Sequence, residues 1–255
     1  MTGTMGYTAA LRELRGAQKA AKGVSLYSRH INRPAGRVLA AAAYRAGLTP
    51  NQVTLVSAAF SFAGVAAIAV LPPSWALAAA VWAALVVGFA LDSADGQLAR
   101  LRRESSAAGE WLDHVVDAAK ITALHAAVLV SFHRFFELPG PGWLLVPLGF
   151  QLAAVLIFTG GLLADKLRPK VPAARPGPGE PPAGPAPSAP PSRLRAVALL
   201  PVDYGVFCAV FLLLGSETVF LTGYTVLFAA HALFLVAFMA KWFRELRVPS
   251  AIRPG

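Results

Sequence analysis

The sequence predicts an all-α polytopic membrane protein, with six transmembrane helices preceded by an amphipathic helix at the membrane surface. Three observations carry this. Of the 255 residues, 56% are hydrophobic and only 14% charged, against about 25% charged in a soluble domain, and the mean hydropathy is +0.57. Six stretches stay apolar over roughly the 20 residues a helix needs to cross a hydrocarbon core about 30 Å thick. The strict two-residue alternation of a barrel strand is absent, which leaves the helix as the structure that satisfies every backbone amide within the lipid.

Residues 1–50 form a cytoplasmic N-terminal segment. Within it, 11–45 mix Leu, Ala, Tyr and Ile with spaced Arg and Lys, the pattern of a basic helix lying on an anionic membrane surface. It has neither the short apolar core nor the small-residue cleavage site of a signal peptide. Residues 51–168 carry the first four spans, at about 53–71, 74–94, 110–132 and 143–164. They are separated by Pro72-Pro73, by the segment Arg100 to Gly109, and by Pro139-Gly140-Pro141-Gly142. Residues 169–192 hold ten prolines among Gly, Ala and Ser; this composition builds no core and predicts an extended linker. Residues 193–242 carry spans five and six, at about 196–214 and 219–240, parted by Gly215-Ser216-Glu217. A cytoplasmic tail, 243–255, completes the chain.

Charge orients the bundle. Of the 23 Lys and Arg residues, 21 precede span one, follow span two, follow span four or follow span six. The three other loops carry only Arg134, and Lys120 lies inside span three. The positive-inside rule then places both termini in the cytoplasm of a multi-pass protein. The net charge of +10 resides in loops between apolar runs and forms no basic face on a soluble fold, which argues against a nucleic-acid partner. The lone Cys208 lies in an apolar stretch, so neither a disulfide framework nor a Cys-based zinc site is expected. High Pro, Arg and Ala usage points to a GC-rich bacterial genome.

The informative region runs from Leu91 to Asp117. Asp92 and Asp95 sit three apart at the cytoplasmic end of span two, and Asp113 and Asp117 sit four apart at the start of span three. Those spacings put each pair on one helix face, and an antiparallel hairpin brings the faces together. An acidic residue costs roughly 2.5–3.5 kcal/mol at the centre of a membrane helix and less near its ends, and four together repel one another. Divalent cations remove both problems, and hard carboxylate oxygens suit Mg²⁺ or Mn²⁺. Helix-end charge alone accounts for Asp113 and Asp117, near a helix N-terminus, but not for Asp92 and Asp95 at a C-terminal end. Gly96, Ala99 and Gly109 allow close approach of a backbone or ligand, and Arg100 can bind a phosphate oxygen. The combination suits a metal-bound diphosphate.

These residues resemble the signature of the CDP-alcohol phosphotransferase family, D-x2-D-G-x2-A-R-x8-G-x3-D-x3-D. Asp92, Asp95, Gly96, Ala99, Arg100, Gly109, Asp113 and Asp117 occupy all its fixed positions without a gap. The six-span plan, the basic segment before span one, and the entry Pro50-Asn51-Gln52-Val53-Thr54 are similar too. The resemblance implies that an alcohol displaces CMP from a CDP-linked donor in phospholipid synthesis. It implies two metal ions on Asp92, Asp95, Asp113 and Asp117, with Asp117 as the base that takes the proton of the attacking hydroxyl. It also implies a nucleotide pocket of Gly96, Ala99, Arg100, Gly109, Asn51 and Thr54, and a homodimer. The expected donor is a CDP-linked lipid such as CDP-diacylglycerol, and the acceptor a small alcohol or phosphorylated alcohol. The reverse arrangement, a soluble CDP-alcohol with a lipid acceptor, uses the same motif. A cation transporter is the non-enzyme reading, opposed by the clustering of the acids at one membrane face and the absence of an acidic path through spans five and six.

For an acceptor phosphate the candidates are Lys166 and Arg168 closing span four, Arg193 and Arg195 before span five, and Lys120, one turn past Asp117. The first four also serve as positive-inside charges. Lys120 is too costly in a span to stand alone and should meet a carboxylate or a substrate phosphate. Family members that use inositol phosphate often carry an Arg shortly after the fourth Asp; here Ala118-Ala119-Lys120 follows. His114 is either a helix-end group or a neighbour of the metal ligands, and His125 and His231 read as hydrogen-bonded packing residues. Asp203 and Tyr204 are expected to pair with a basic residue across the bundle. Trp75, Trp143 and Trp242 suit the interfacial belt.

Overall fold

The computed structural model describes residues 5–16, 25–168 and 193–247. The expected linker, 169–192, and the end of the tail lie outside the described residues. Among the described residues, nine α-helices follow one another: α1 (Tyr7–Gly16), α2 (Arg33–Arg45), α3 (Pro50–Val70), α4 (Trp75–Arg102), α5 (Ala107–Phe135), α6 (Leu145–Leu167), α7 (Arg193–Ala198), α8 (Tyr204–Val210) and α9 (Glu217–Arg247). Helices α3, α4, α5 and α9, and α6 with the short turn before it, are each long and apolar enough to cross a membrane, and a bent pair spanning Ala196–Val202 and Tyr204–Leu213 makes a sixth crossing if taken as one. Many large apolar side chains face outward, among them Leu145, Leu152, Leu163, Leu233 and Val236, as they do where lipid is the solvent.

Local sequence sets the helix starts. Thr49 caps α3 with a reciprocal capping box to Gln52, and Pro50 opens the helix, a position where its missing N–H costs nothing. Ser74 caps α4 through Leu77 N, and Ser106 caps α5 through Gly109 N. Both α4 and α5 outrun the apolar stretches that announce them. The predicted span ended at residue 94, yet α4 continues to Arg102 because the polar residues from Asp95 onward include no breaker. At about 1.5 Å per residue, its 28 residues reach about 42 Å, well beyond a hydrocarbon core. The helix stops at Arg103, whose φ of 56° is left-handed. Four residues then connect α4 to α5, so the motif lies on two helices with only a tight link between them.

Two elements differ from expectation. The stretch 11–45 is not one surface helix: α1 and α2 are separate, and α2 follows a π-turn at Ser28–Asn32. Helix α2 buries Gly36, Ala40, Ala41 and Ala43, and its three alanines form a core over the end of α4 with Ala10, Leu14, Val53, Ala94, Leu98 and Leu101. Span five is broken. Pro201 removes a backbone donor, and Asp203 restarts the helix by accepting from Gly205 N and Val206 N, with a 48° bend between the halves.

The larger core lies deeper in the bundle. Phe132, Phe150, Phe207, Phe211, Phe220 and Tyr224 are all buried there. Elsewhere helices meet over small residues. A Cβ on Gly88 of α4 would sit 2.2 Å from Ser61 Oγ and 3.1 Å from the Ser57 carbonyl of α3, so only glycine permits this approach. Gly160 and Gly161 of α6 likewise lie against Met239 and Trp242 of α9. We predict that Gly88→Leu lowers stability by about 3 kcal/mol or prevents folding, as overpacking against backbone does. Gly140→Ala, where a Cβ meets nothing within 4 Å, should change stability by less than about 0.5 kcal/mol. Thermal unfolding in detergent of the two variants beside wild type checks both.

Candidate active site

The α4–α5 hairpin brings the acidic faces together. Asp92, Asp95 and Asp113 each offer a carboxylate oxygen, and the three oxygens lie within 4.8 Å of one another. Octahedral ligands about 2.1 Å from Mg²⁺ stand about 3–4 Å apart, so a small contraction of side chains would close this set around an ion. The donors are all carboxylate oxygens, the chemistry that Mg²⁺ and Mn²⁺ take. Asp95 is buried at 5% exposure. Thr54 Oγ1 donates to Asp95 Oδ2 at 2.6 Å, and the Gly96 N–H donates to Asp95 Oδ1. Helix α3 therefore holds this carboxylate in place from the side.

The fourth carboxylate behaves differently. Asp117 is not in the group of three; its Oδ1 lies 3.2 Å from Lys120 Nζ, one turn along α5. The same ammonium donates to Asp92 Oδ1 at 2.6 Å and to Ser57 Oγ at 3.2 Å, and Ser57 in turn donates to the Gly88 carbonyl at 2.8 Å. The Lys120 side chain is 6% exposed. An ion pair of this length is worth about 6 kcal/mol of Coulomb attraction at an effective dielectric near 20, set against a desolvation cost of several kcal/mol per buried ion. Of the two partners expected for Lys120, the structure shows carboxylates.

A cavity of about 440 Å³ opens beside the acidic group. Its walls are Pro50, Asn51 and Thr54 from α3; Asp95, Gly96, Ala99 and Arg100 from α4; the link from Glu104 to Ala107; and Gly109, Glu110 and Asp113 from α5. All six residues expected to form a nucleotide pocket line this one cavity, with two of the acidic residues beside them. Its volume lies in the range of small-molecule sites. A Cβ on Gly109 would stand 3.1 Å from Asn51 Oδ1, so a side chain there would press on the wall. Arg100 lines the cavity, and its Nε is buried without a hydrogen-bond partner.

Of the acceptor candidates, Lys166 reaches the cavity wall through Glu110. Lys166 pairs with Glu110 and Arg168 with Glu245 and, at 3.7 Å, Asp165, all of them exposed. The side chains of Arg193 and Arg195 lie outside the described residues. His114 sits 3.7 Å from Glu110 and edge-on to Phe158. His125 Nδ1 meets Tyr224 Oη at 2.6 Å among the core aromatics, and His231 Nδ1 meets the Leu227 carbonyl, so both are packing residues. Among the described residues Asp203 meets no basic side chain: Ser25 and Ser28 donate to it, which ties the N-terminal segment to the break in span five. Sequence reasoning missed Ser57 and the link residues Glu104, Ser105 and Ser106. Ser57 lies one turn beyond Thr54 on the same face of α3, a spacing that could have singled it out.

Comparison with known proteins agrees with this geometry. A family model described as CDP-alcohol phosphatidyltransferase matches residues 47–236, a range that contains every described wall of the cavity and all four aspartates. Among curated proteins, no sequence matches the chain significantly. A crystal structure of Mycobacterium tuberculosis phosphatidylinositol phosphate synthase (PgsA1) with CDP-DAG bound shares the fold, with a TM-score of 0.54 at 20% identity, over 88% of this chain and 98% of that one. With the signature complete and its residues assembled around one cavity, the chain belongs to the CDP-alcohol phosphatidyltransferase family.

Proposed function

We propose that this enzyme transfers a phosphatidyl group from a CDP-linked lipid, CDP-diacylglycerol, to a small alcohol and releases CMP. The observation that carries the proposal is the cavity lined by Asn51, Thr54, Gly96, Ala99, Arg100 and Gly109, with Asp95 and Asp113 in its wall. A nucleotide there would have its diphosphate at the acidic group. The lipid donor is supported by the CDP-DAG bound to the mycobacterial neighbour.

Asp92, Asp95 and Asp113 would hold Mg²⁺ or Mn²⁺. When bound, a divalent ion neutralises the diphosphate and the charge that builds on departing CMP. Thr54 keeps Asp95 oriented, and the guanidinium of Arg100, in the cavity wall, would bind a diphosphate oxygen. Asp117 takes the proton of the acceptor hydroxyl as its oxygen attacks the lipid-side phosphorus, and the bond to CMP breaks with its electrons leaving on CMP. A second ion, which the family resemblance implies, would have to share Asp92 and Asp117 with Lys120. The charge of the loops supports a site and termini facing the cytoplasm, and the family supports a homodimer.

The acceptor reaches the site from the basic end. A phosphorylated alcohol would draw Lys166 and Arg168 away from Glu110 and Glu245, exchanges that exposed ion pairs permit at about 0–1 kcal/mol each.

Two experiments test this reading. In lipid nanodiscs with CDP-diacylglycerol and Mg²⁺ or Mn²⁺, CMP should appear only when an acceptor is added; inositol phosphate, glycerol phosphate, serine and inositol are to be tried in turn. Asp95→Asn should abolish CMP release, and Asp117→Asn should lower kcat by about 10²–10³, the contribution of a general base. Near-normal kcat in Asp117→Asn would remove it from the base role. With a phosphorylated acceptor, the Lys166→Ala, Arg168→Ala double variant should raise KM about tenfold, the equivalent of one charge-assisted hydrogen bond, and leave an uncharged acceptor unaffected. Equal KM values would reduce the two residues to topological charges.

A further inference from the structure

We propose that Lys120 is the second cation of the carboxylate cluster, so that each chain takes one divalent ion, at Asp92, Asp95 and Asp113, in place of two. The inference rests on the metal-dependent reading above. Three observations point to it. Asp92 is shared: it belongs to the group of three and also accepts from Lys120 Nζ at 2.6 Å. A carboxylate between two cations is the bridging arrangement of a two-ion site, and here an ammonium stands where the second ion would be. Asp117 lies outside the group of three and accepts from the same ammonium at 3.2 Å. The ammonium is also held in place: Ser57 Oγ takes its third proton at 3.2 Å and is itself anchored on the Gly88 carbonyl.

With three protons and three acceptors, the lysine donates nothing to a substrate phosphate in this arrangement. This reassigns Lys120 from the acceptor pocket to the acid cluster. A second divalent ion between Asp92 and Asp117 would meet a positive charge already bound to both, on a side chain only 6% exposed and therefore without water to receive it. The arrangement has a consequence for the reaction. Lys120 engages Asp117 Oδ1 at 3.2 Å, so the lysine both replaces an ion and orients the base.

The experiment counts ions directly. Full-length protein in phosphatidylcholine nanodiscs is stripped with chelator and titrated with Mn²⁺, free Mn²⁺ being read by electron paramagnetic resonance, with Asp95→Asn as the blank for lipid binding. Wild type should bind one tight Mn²⁺ per chain and show no Mn–Mn spin coupling. Lys120→Met, which keeps the length and removes the charge, should bind two and show the coupling. Lys120→Arg should again bind one. Two tight ions in wild type would overturn the inference and leave the metal-dependent transferase intact. One ion in a folded Lys120→Met would overturn it as well, since the charge would not be what excludes the second. No tight Mn²⁺ in wild type would remove the metal reading and the inference together. Should Lys120→Met not fold, the wild-type count decides alone.

Discussion

Concentrating negative charge at the end of a membrane hairpin is the constraint around which this protein is built. Asp92 and Asp95 on α4 meet Asp113 and Asp117 on α5 across four link residues, and such a group is stable in a low-dielectric setting only if positive charge or hydrogen-bond donors reach each carboxylate. The structure supplies them unevenly. Asp95 has Thr54 and a backbone N–H, Asp92 and Asp117 have Lys120, and one oxygen from each of Asp92, Asp95 and Asp113 lies within 4.8 Å of the others.

Close helix packing makes those contacts reachable. Ser57 can touch Lys120 because α3 approaches α4 over Gly88, where no side chain fits. Thr54, one turn earlier on α3, reaches Asp95 for the same reason. On the other side of α4, Gly36 lets α2 approach Ser93 so closely that a Cβ would stand 2.7 Å from its Oγ, and Gln97 donates to the Arg33 carbonyl. The N-terminal segment therefore braces the helix that carries Asp92, Asp95 and Arg100. It is further tied to span five through Ser25, Ser28 and Asp203, so the break in that span has a structural use.

Much of this was legible in the sequence, for reasons that differ by residue. The spans are visible because lipid imposes length and hydropathy, and the acid pairs because spacings of three and four leave no choice of face. The nucleotide candidates converge because helix periodicity carries Gly96, Ala99 and Arg100 along the same side as Asp95. The cost of a charge in a span was enough to say that Lys120 needed a partner, and Asp117 lies one turn away on the same helix, but naming Asp92 and Ser57 required the register of α5 against α4 and α3. The docking of α2 was hidden because Ala and Gly on a basic helix suit a membrane surface and a helix packing face equally. Asp203 misled because a helix cap and an ion-pair partner look alike without the break at Pro201. Lys166 was expected at the site and pairs with Glu110 of the cavity wall, whereas Arg168 pairs with Glu245.

The central claim is that a phosphorus atom moves from a cytidine diphosphate lipid to an alcohol. It is tested most directly with CDP-diacylglycerol carrying ³²P in the lipid-side phosphate, supplied to the metal-loaded protein in nanodiscs with the acceptor found active. The account predicts that label leaves the donor and appears in one new lipid phosphodiester that contains the acceptor, with unlabelled CMP formed in equal amount. Label released as phosphatidic acid regardless of acceptor, or retained in the donor while the protein is folded and metal-loaded, would contradict it.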